Sequence, residues 1–242
     1  MRLLTLGDSL TQGVGDPTPG RAGFSGQLDG WVTHLSQALQ DSGRTVAVTN
    51  LAVSGAQASH VVSTQLPQAL LTVADVATII IGVNDLCRPG FDIAAFAQNY
   101  GAALVALTAV SPVVLSATIH EFDEPFPVPS GLRQKLHTNT EAANEVIRTI
   151  CAQRKVLVVD MANSNQMGPN VRSVDLLHPN RYGHQLIAAE VLTVLHAAGH
   201  FCDASMTPPQ PMRRGVSDLA HVAWVGTYMQ RVVAGRIRQS HS

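Results

Sequence analysis

Ser9 ends a short apolar run, Arg2-Leu-Leu-Thr-Leu-Gly7-Asp8-Ser9, so a hydroxyl stands at the C-terminal end of a strand. Far downstream, Asp175-Leu-Leu-His178-Pro179 carries a carboxylate and an imidazole three residues apart. One turn can present both: the carboxylate accepts from Nδ1–H, and Nε2 is left to take a hydroxyl proton. Nucleophile, base and base-orienter are the components of acyl transfer through a covalent intermediate. Two further segments could stabilise the charge that develops. Gly55, in Asn50–Ala56, can turn its N–H into a site, because glycine tolerates unusual φ. Asn84, in Ile81-Gly-Val-Asn84-Asp85, can donate from its carboxamide, and the Ser9 N–H at a helix start can donate as well. Each segment alone also fits a plain structural role. Ser9 could be a helix N-cap, Gly55 a strand-to-helix turn, Asn84 a cap, and His178 a surface residue before a capped helix.

Positioning these groups takes a scaffold, and the hydrophobic pattern supplies one. Five β-branched runs (2–6, 45–50, 77–82, 112–118 and 155–160) read as nearly continuous apolar segments. That is the pattern of strands buried on both faces of a parallel sheet. Helical segments at 30–40, 56–66, 91–109, 132–153 and 181–198 separate them. The alternation predicts an α/β fold, a three-layer α/β/α sandwich with right-handed crossovers. In a sheet ordered 2-1-3-4-5, strands 1 and 3 flank the topological switch point. Ser9, Gly55 and Asn84 follow strands 1, 2 and 3 and so share one edge, which the Asp175/His178 segment reaches from beyond strand 5.

Taken in order, Gly7-Asp8-Ser9, Gly55, Gly82-Val-Asn84-Asp85 and Asp175-x-x-His178 resemble the SGNH (GDSL) hydrolase family of serine esterases and lipases over roughly residues 1–200. The resemblance implies a flavodoxin-like fold and a Ser9–His178–Asp175 triad. It also implies an oxyanion hole from the Ser9 and Gly55 N–H groups and the Asn84 side chain, and no cofactor. Gln12 stands where that family often has Glu. The expected activity is hydrolysis of carboxylic esters through an acyl-enzyme on Ser9. Short acyl esters, thioesters, lysophospholipids and acetylated sugars are all open as substrates. The alternative is a catalytically silent ligand-binding module on the same scaffold.

Bulk properties narrow the partners. The 242 residues carry a formal net charge of -1, with 45% hydrophobic and 14% charged residues. Nothing in that balance calls for nucleic acid or a membrane surface. Cys87, Cys151 and Cys202 form neither a metal spacing nor a disulfide framework, which fits a reducing compartment; cytoplasmic localisation is the expectation. The histidines lack a carboxylate set at metal-ligand spacing, so no metal is expected, and His184 is read as a helix-surface residue. The Pro-rich loop after strand 4 reads as a solvated, proline-stiffened loop, or else as a rim of the cleft with Phe122 and Phe126 as candidate substrate contacts. The chain divides into a hydrolase domain (1–204), a Pro-rich linker (205–215) and an amphipathic helix with tail (216–242). The apolar stripe of that helix could form a homodimer.

Overall fold

The computed structural model of the protein describes residues 1–17, 28–121, 130–164, 169–173, 175 and 177–207. Five parallel strands, β1 (Arg2–Gly7), β2 (Ala47–Asn50), β3 (Val76–Ile80), β4 (Val113–Ala117) and β5 (Leu157–Val159), form one sheet in the order 2-1-3-4-5. The chain adds β2 on one side of β1 and then β3 on the other. That reversal opens the crevice at the C-terminal ends of β1 and β3.

Side-chain alternation along the strands builds the two outer layers. Leu4, Leu6, Ala77 and Ile79 face α6 (Ile93–Val110) and α7 (Ser130–Arg154), where Phe96, Leu104, Ala143 and Ile147 complete one core. Leu3, Val76 and Ile80 face α2 (Gly30–Asp41) and α8 (Arg181–Ala197), where Trp31, Leu35, Ile187 and Val191 complete the other. α6 is the one helix, among the described residues, long and apolar enough to cross a membrane. Its Phe96, Tyr100, Ala103, Leu104 and Leu107 pack in the core, which accounts for that apolarity.

Two expectations about the strands are corrected. β2 is an edge strand whose residues are largely exposed, with Val48 at 42%, because no strand covers its outer side. The fifth strand is shorter than 155–160, because Lys155 adopts φ 55° and Val156 N–H turns back to Cys151 O. Between β2 and β3 the helical stretch is split into α3 (Ala58–His60), a π turn (Val61–Gln65) and α4 (Leu66–Ala69). Pro67, which has no N–H to give a regular helix, lies at the start of α4 just after the widened turn. Ala204 and Met206 still pack on the α2/α8 layer. The amphipathic helix at 216–242, with its possible dimer contact, and most of the linker lie outside the described residues.

Candidate active site

β1 runs directly into a short helix, α1 (Ser9–Gln12), and the junction presents Ser9. Asp8, not Ser9, is the N-cap: its Oδ1 accepts from Leu10 N–H at 3.0 Å. Ser9 is thereby left as the first helical residue with its hydroxyl uncommitted to capping. The end of β1 is held by a residue that motif reading passes over. Buried Gln65, in the π turn, accepts from Gly7 N–H at 2.9 Å and donates to Gly7 O at 2.8 Å. Its carboxamide occupies the place of a neighbouring strand just before the serine.

His178 arrives from the loop before α8. Its Nε2 lies 2.9 Å from Ser9 Oγ and its Nδ1 lies 2.6 Å from Asp175 Oδ2. Asp175 Oδ1 accepts the backbone N–H groups of Leu177 and His178, each at 3.0 Å, so the carboxylate is oriented by its own turn. Burial raises the Asp175 carboxyl pKa, but the His178 hydrogen bond and charge and these two N–H groups outweigh it, and the group lies below its ordinary range. An ionised Asp175 places the proton on Nδ1 and leaves Nε2 free to accept from the Ser9 hydroxyl. A small backbone bridge, Arg172 to Pro179, shapes the turn, and Ser173 N–H donates to His178 O at 2.7 Å. Asn180, not the His178 turn, caps α8 by accepting from Gly183 N–H.

Gly55 and Asn84 lie in the segments that follow β2 and β3. Gly55 adopts φ 80°, a left-handed conformation that favours glycine. Among the described residues, neither the Ser9 nor the Gly55 N–H has a protein acceptor. The turn carrying Gly55 is tied to α1, because Gln12 Oε1 accepts from the Ser54 N–H and hydroxyl. Asn84, in the short helix α5 (Val83–Leu86), is engaged differently. Its Nδ2 donates to Asp8 Oδ2 at 3.1 Å and to Ala56 O at 3.0 Å, which occupies both amide hydrogens. Asp8 is 3% exposed, and burial pushes its pKa up to about 6 against the opposing pull of Leu10 N–H and the His178 charge.

His184 is not the surface residue expected. It is fully buried between α8, α2 and the segment after α1. Trp31 N–H donates to its Nδ1 at 3.2 Å, and its Nε2–H donates to Val14 O at 3.0 Å. Burial lowers its pKa to about 4, so the ring is neutral near pH 7. Phe122 and Phe126 lie outside the described residues. Glu121, His137 and Glu141 are close enough together to hold a cation. Both ring nitrogens of His137 already face these carboxylates, at 3.1 and 3.5 Å, at the protein surface.

Residues 5–186 match the family described as GDSL-like lipase/acylhydrolase. No curated protein matches the sequence. Among solved structures, the chain is similar to the acetylxylan esterase Axe2 from Geobacillus stearothermophilus, with 20% identity and a TM-score of 0.62 over 80% of this chain and 93% of that one. It is also similar to TesA, with 24% identity and a TM-score of 0.65 over 81% of this chain and 99% of that one. At these identities the likeness is one of fold. Solved catalytic mutants of Axe2 replace a serine, an aspartate and a histidine by alanine.

Proposed function

The chain belongs to the GDSL-like lipase/acylhydrolase family, and on that premise we propose that it hydrolyses carboxylic esters through an acyl-enzyme on Ser9. The observation that carries this reading is the continuous chain Ser9 Oγ, His178 Nε2, His178 Nδ1, Asp175 Oδ2, with contacts of 2.9 and 2.6 Å. As Oγ attacks the ester carbonyl carbon, its proton passes to His178 Nε2, and ionised Asp175 stabilises the imidazolium that forms. Collapse of the tetrahedral intermediate breaks the bond to the alcohol, which leaves with the proton from Nε2. Water then attacks the acyl-enzyme with His178 again as base, and the carboxylic acid is released.

The Ser9 and Gly55 N–H groups serve as the oxyanion donors that are ready before substrate arrives. Asn84 serves as the third, and its N–H must be shared with or drawn from Asp8 as charge builds on the substrate oxygen. That catalytic mutants of Axe2 are at a serine, an aspartate and a histidine is consistent with the same set of residue types acting here.

Labelling by a serine-directed fluorophosphonate tests the chemistry. Adduct on Ser9, lost in Ser9→Ala, is the expected result. A folded protein that stays unlabelled and inactive on every ester offered would instead be a binding module. Activity profiled on nitrophenyl esters of increasing acyl length, beside acetylated xylooligosaccharides, thioesters and lysophospholipids, assigns the substrate class.

A further inference from the structure

Behind the His178 turn lies an ionic cluster that the reaction scheme leaves unused. Arg181 opens α8, three residues after His178. Its Nη1 donates to Asp16 Oδ1 at 3.1 Å and to Asp29 Oδ2 at 3.0 Å. Asp16 follows Ser9 by seven residues, and its side chain is 1% exposed. The other oxygen of Asp16 takes His34 Nε2 at 2.7 Å. Backbone bonds close the unit, with Asp29 N–H on Asp16 O at 2.9 Å and Asp16 N–H on Gly13 O at 3.1 Å. Arg181 therefore fastens the stretch that carries the base to the stretch that leaves the nucleophile.

These two stretches also touch without any spacer. Gly15 presses on Pro179 so closely that a Cβ there would sit 1.9 Å from Pro179 O and 3.4 Å from His178 Cβ. Any slip of one stretch along the other changes the separation of Ser9 and His178 directly. Close packing resists compression across such a contact, and separation of the two stretches must be opposed by other ties. An ion pair whose nitrogen bridges two carboxylates is such a tie. The bond from His184 to Val14 O adds a second tie between α8 and the same stretch.

We propose that Arg181, through Asp16 and Asp29, is a positioning residue that holds the His178 imidazole within proton-transfer reach of Ser9. This rests on the reading of Ser9 and His178 as nucleophile and base. Arg181 acts on the rate through the base and does not touch the reacting atoms. Proton transfer needs a heavy-atom separation of about 2.6–3.2 Å, and a misplacement of about 1 Å costs on the order of 100-fold in rate. Because one nitrogen makes both contacts, a lysine ammonium has the chemistry to replace it.

The test uses the full-length protein, with turnover expressed per serine titratable by fluorophosphonate, so that unfolded molecules do not count. Arg181→Met is expected to lower kcat per titratable serine by about 10- to 100-fold with KM changed by less than about twofold. Arg181→Lys is expected to recover kcat to within about threefold of the wild type. Unchanged kcat per titratable serine in Arg181→Met overturns the proposal, and so does an Arg181→Lys variant no faster than Arg181→Met. If Arg181→Met does not fold, near-isosteric Asp16→Asn decides by the same measure: a loss of about tenfold or more supports the proposal, and no loss overturns it. Wild-type labelling keeps the two failures apart. A folded wild type that takes no label removes the hydrolase reading itself, whereas a labelled wild type beside a fully active Arg181→Met removes only the positioning role.

Discussion

Asp8 and Asp16 are the same residue type, eight positions apart, and both are buried beside the Ser9 segment. Their carboxyl groups nevertheless move in opposite directions. Burial pushes both upward, and for Asp8 burial prevails and raises the group to about 6. Its partners are the Leu10 N–H and the Asn84 amide, with His178 nearby in its favour and Asp85 against it. For Asp16, the hydrogen bond from His34 and the charge of Arg181 outweigh burial and lower the pKa. The lesson is that depth alone does not decide whether a buried carboxylate keeps its charge. The hydrogen-bond and charge partners that reach it decide as well. Asp16 is built into an ionic joint between segments, while Asp8, with its raised pKa, adjoins the proposed nucleophile Ser9.

Removing Asn84 strikes the Asp8 side hardest. Asn84→Ala deletes an amide donor of Asp8 and the third proposed oxyanion donor, so kcat should fall by about 10²–10³-fold while the fold persists. Unchanged turnover on a nitrophenyl ester would take Asn84 out of the site. On the other side, Asp16→Ala leaves Arg181 and His34 without their buried anion. Urea unfolding should then report a loss of about 3 kcal/mol, the low end for a broken buried pair because Arg181 is partly in water. A loss under about 1 kcal/mol would mean that the joint contributes nothing beyond a surface pair.

Asp8→Asn should do the reverse and stabilise. Folded Asp8 holds its proton up to about pH 6 and the unfolded chain releases it near 3.8. The stability this carboxyl provides as an acid is therefore lost as pH rises through about 6. At pH 8 the variant should gain about 2 kcal/mol, somewhat below the full linkage value of ~3 kcal/mol because the amide offers a single acceptor oxygen. The gain should vanish near pH 4. His184 has the opposite sign: its ring stays neutral when folded down to about pH 4 and takes a proton below about 6.5 when unfolded. Stability is lost over that window as pH falls, and Asp8→Asn should expose this loss where the wild type masks part of it. Identical pH profiles for the two proteins would refute the Asp8 assignment, and a variant whose stability does not fall between about pH 6.5 and pH 4 would refute that of His184.

The smallest effect is expected at Gln12. Gln12→Ala frees the Ser54 turn from α1 and should lower kcat by less than about tenfold, since the Gly55 N–H keeps its left-handed backbone. A larger drop would show that the clamp, not the glycine conformation, sets that donor.

Much of the fold was legible because its signals are local. Strand 1 with the Gly-Asp-Ser turn and the helix at 30–40, against the observed Gly30–Asp41, follow from periodicity and turn chemistry, whereas the sheet order came with the family resemblance. β2 was misread because a strand's exposure depends on whether a neighbour covers it, and Ala-Val-Thr-Asn reads the same at an edge as in the middle. His184 was misread although the signal was present. It shares a helical stripe with Ile187, Ala188, Val191 and Leu195, all buried, and a histidine at such a position belongs to the core once both nitrogens find backbone partners. Gln65 carried no signal at all, since its use at Gly7 depends on a π turn formed 58 residues away.

By itself the amino-acid order determined which chemistry was at hand: a serine at a strand end, an aspartate and histidine one turn apart, and a sheet whose edge could gather them. Residue types and short spacings are enough for that, because strand, turn and cap preferences act over a few positions. Only the tertiary structure decided how the buried charges are shared. Asp8 and Asp16 differ through groups brought from Asn84, His34 and Arg181, and the strength of a charge's neighbours falls off with distance in space, which the linear sequence does not contain.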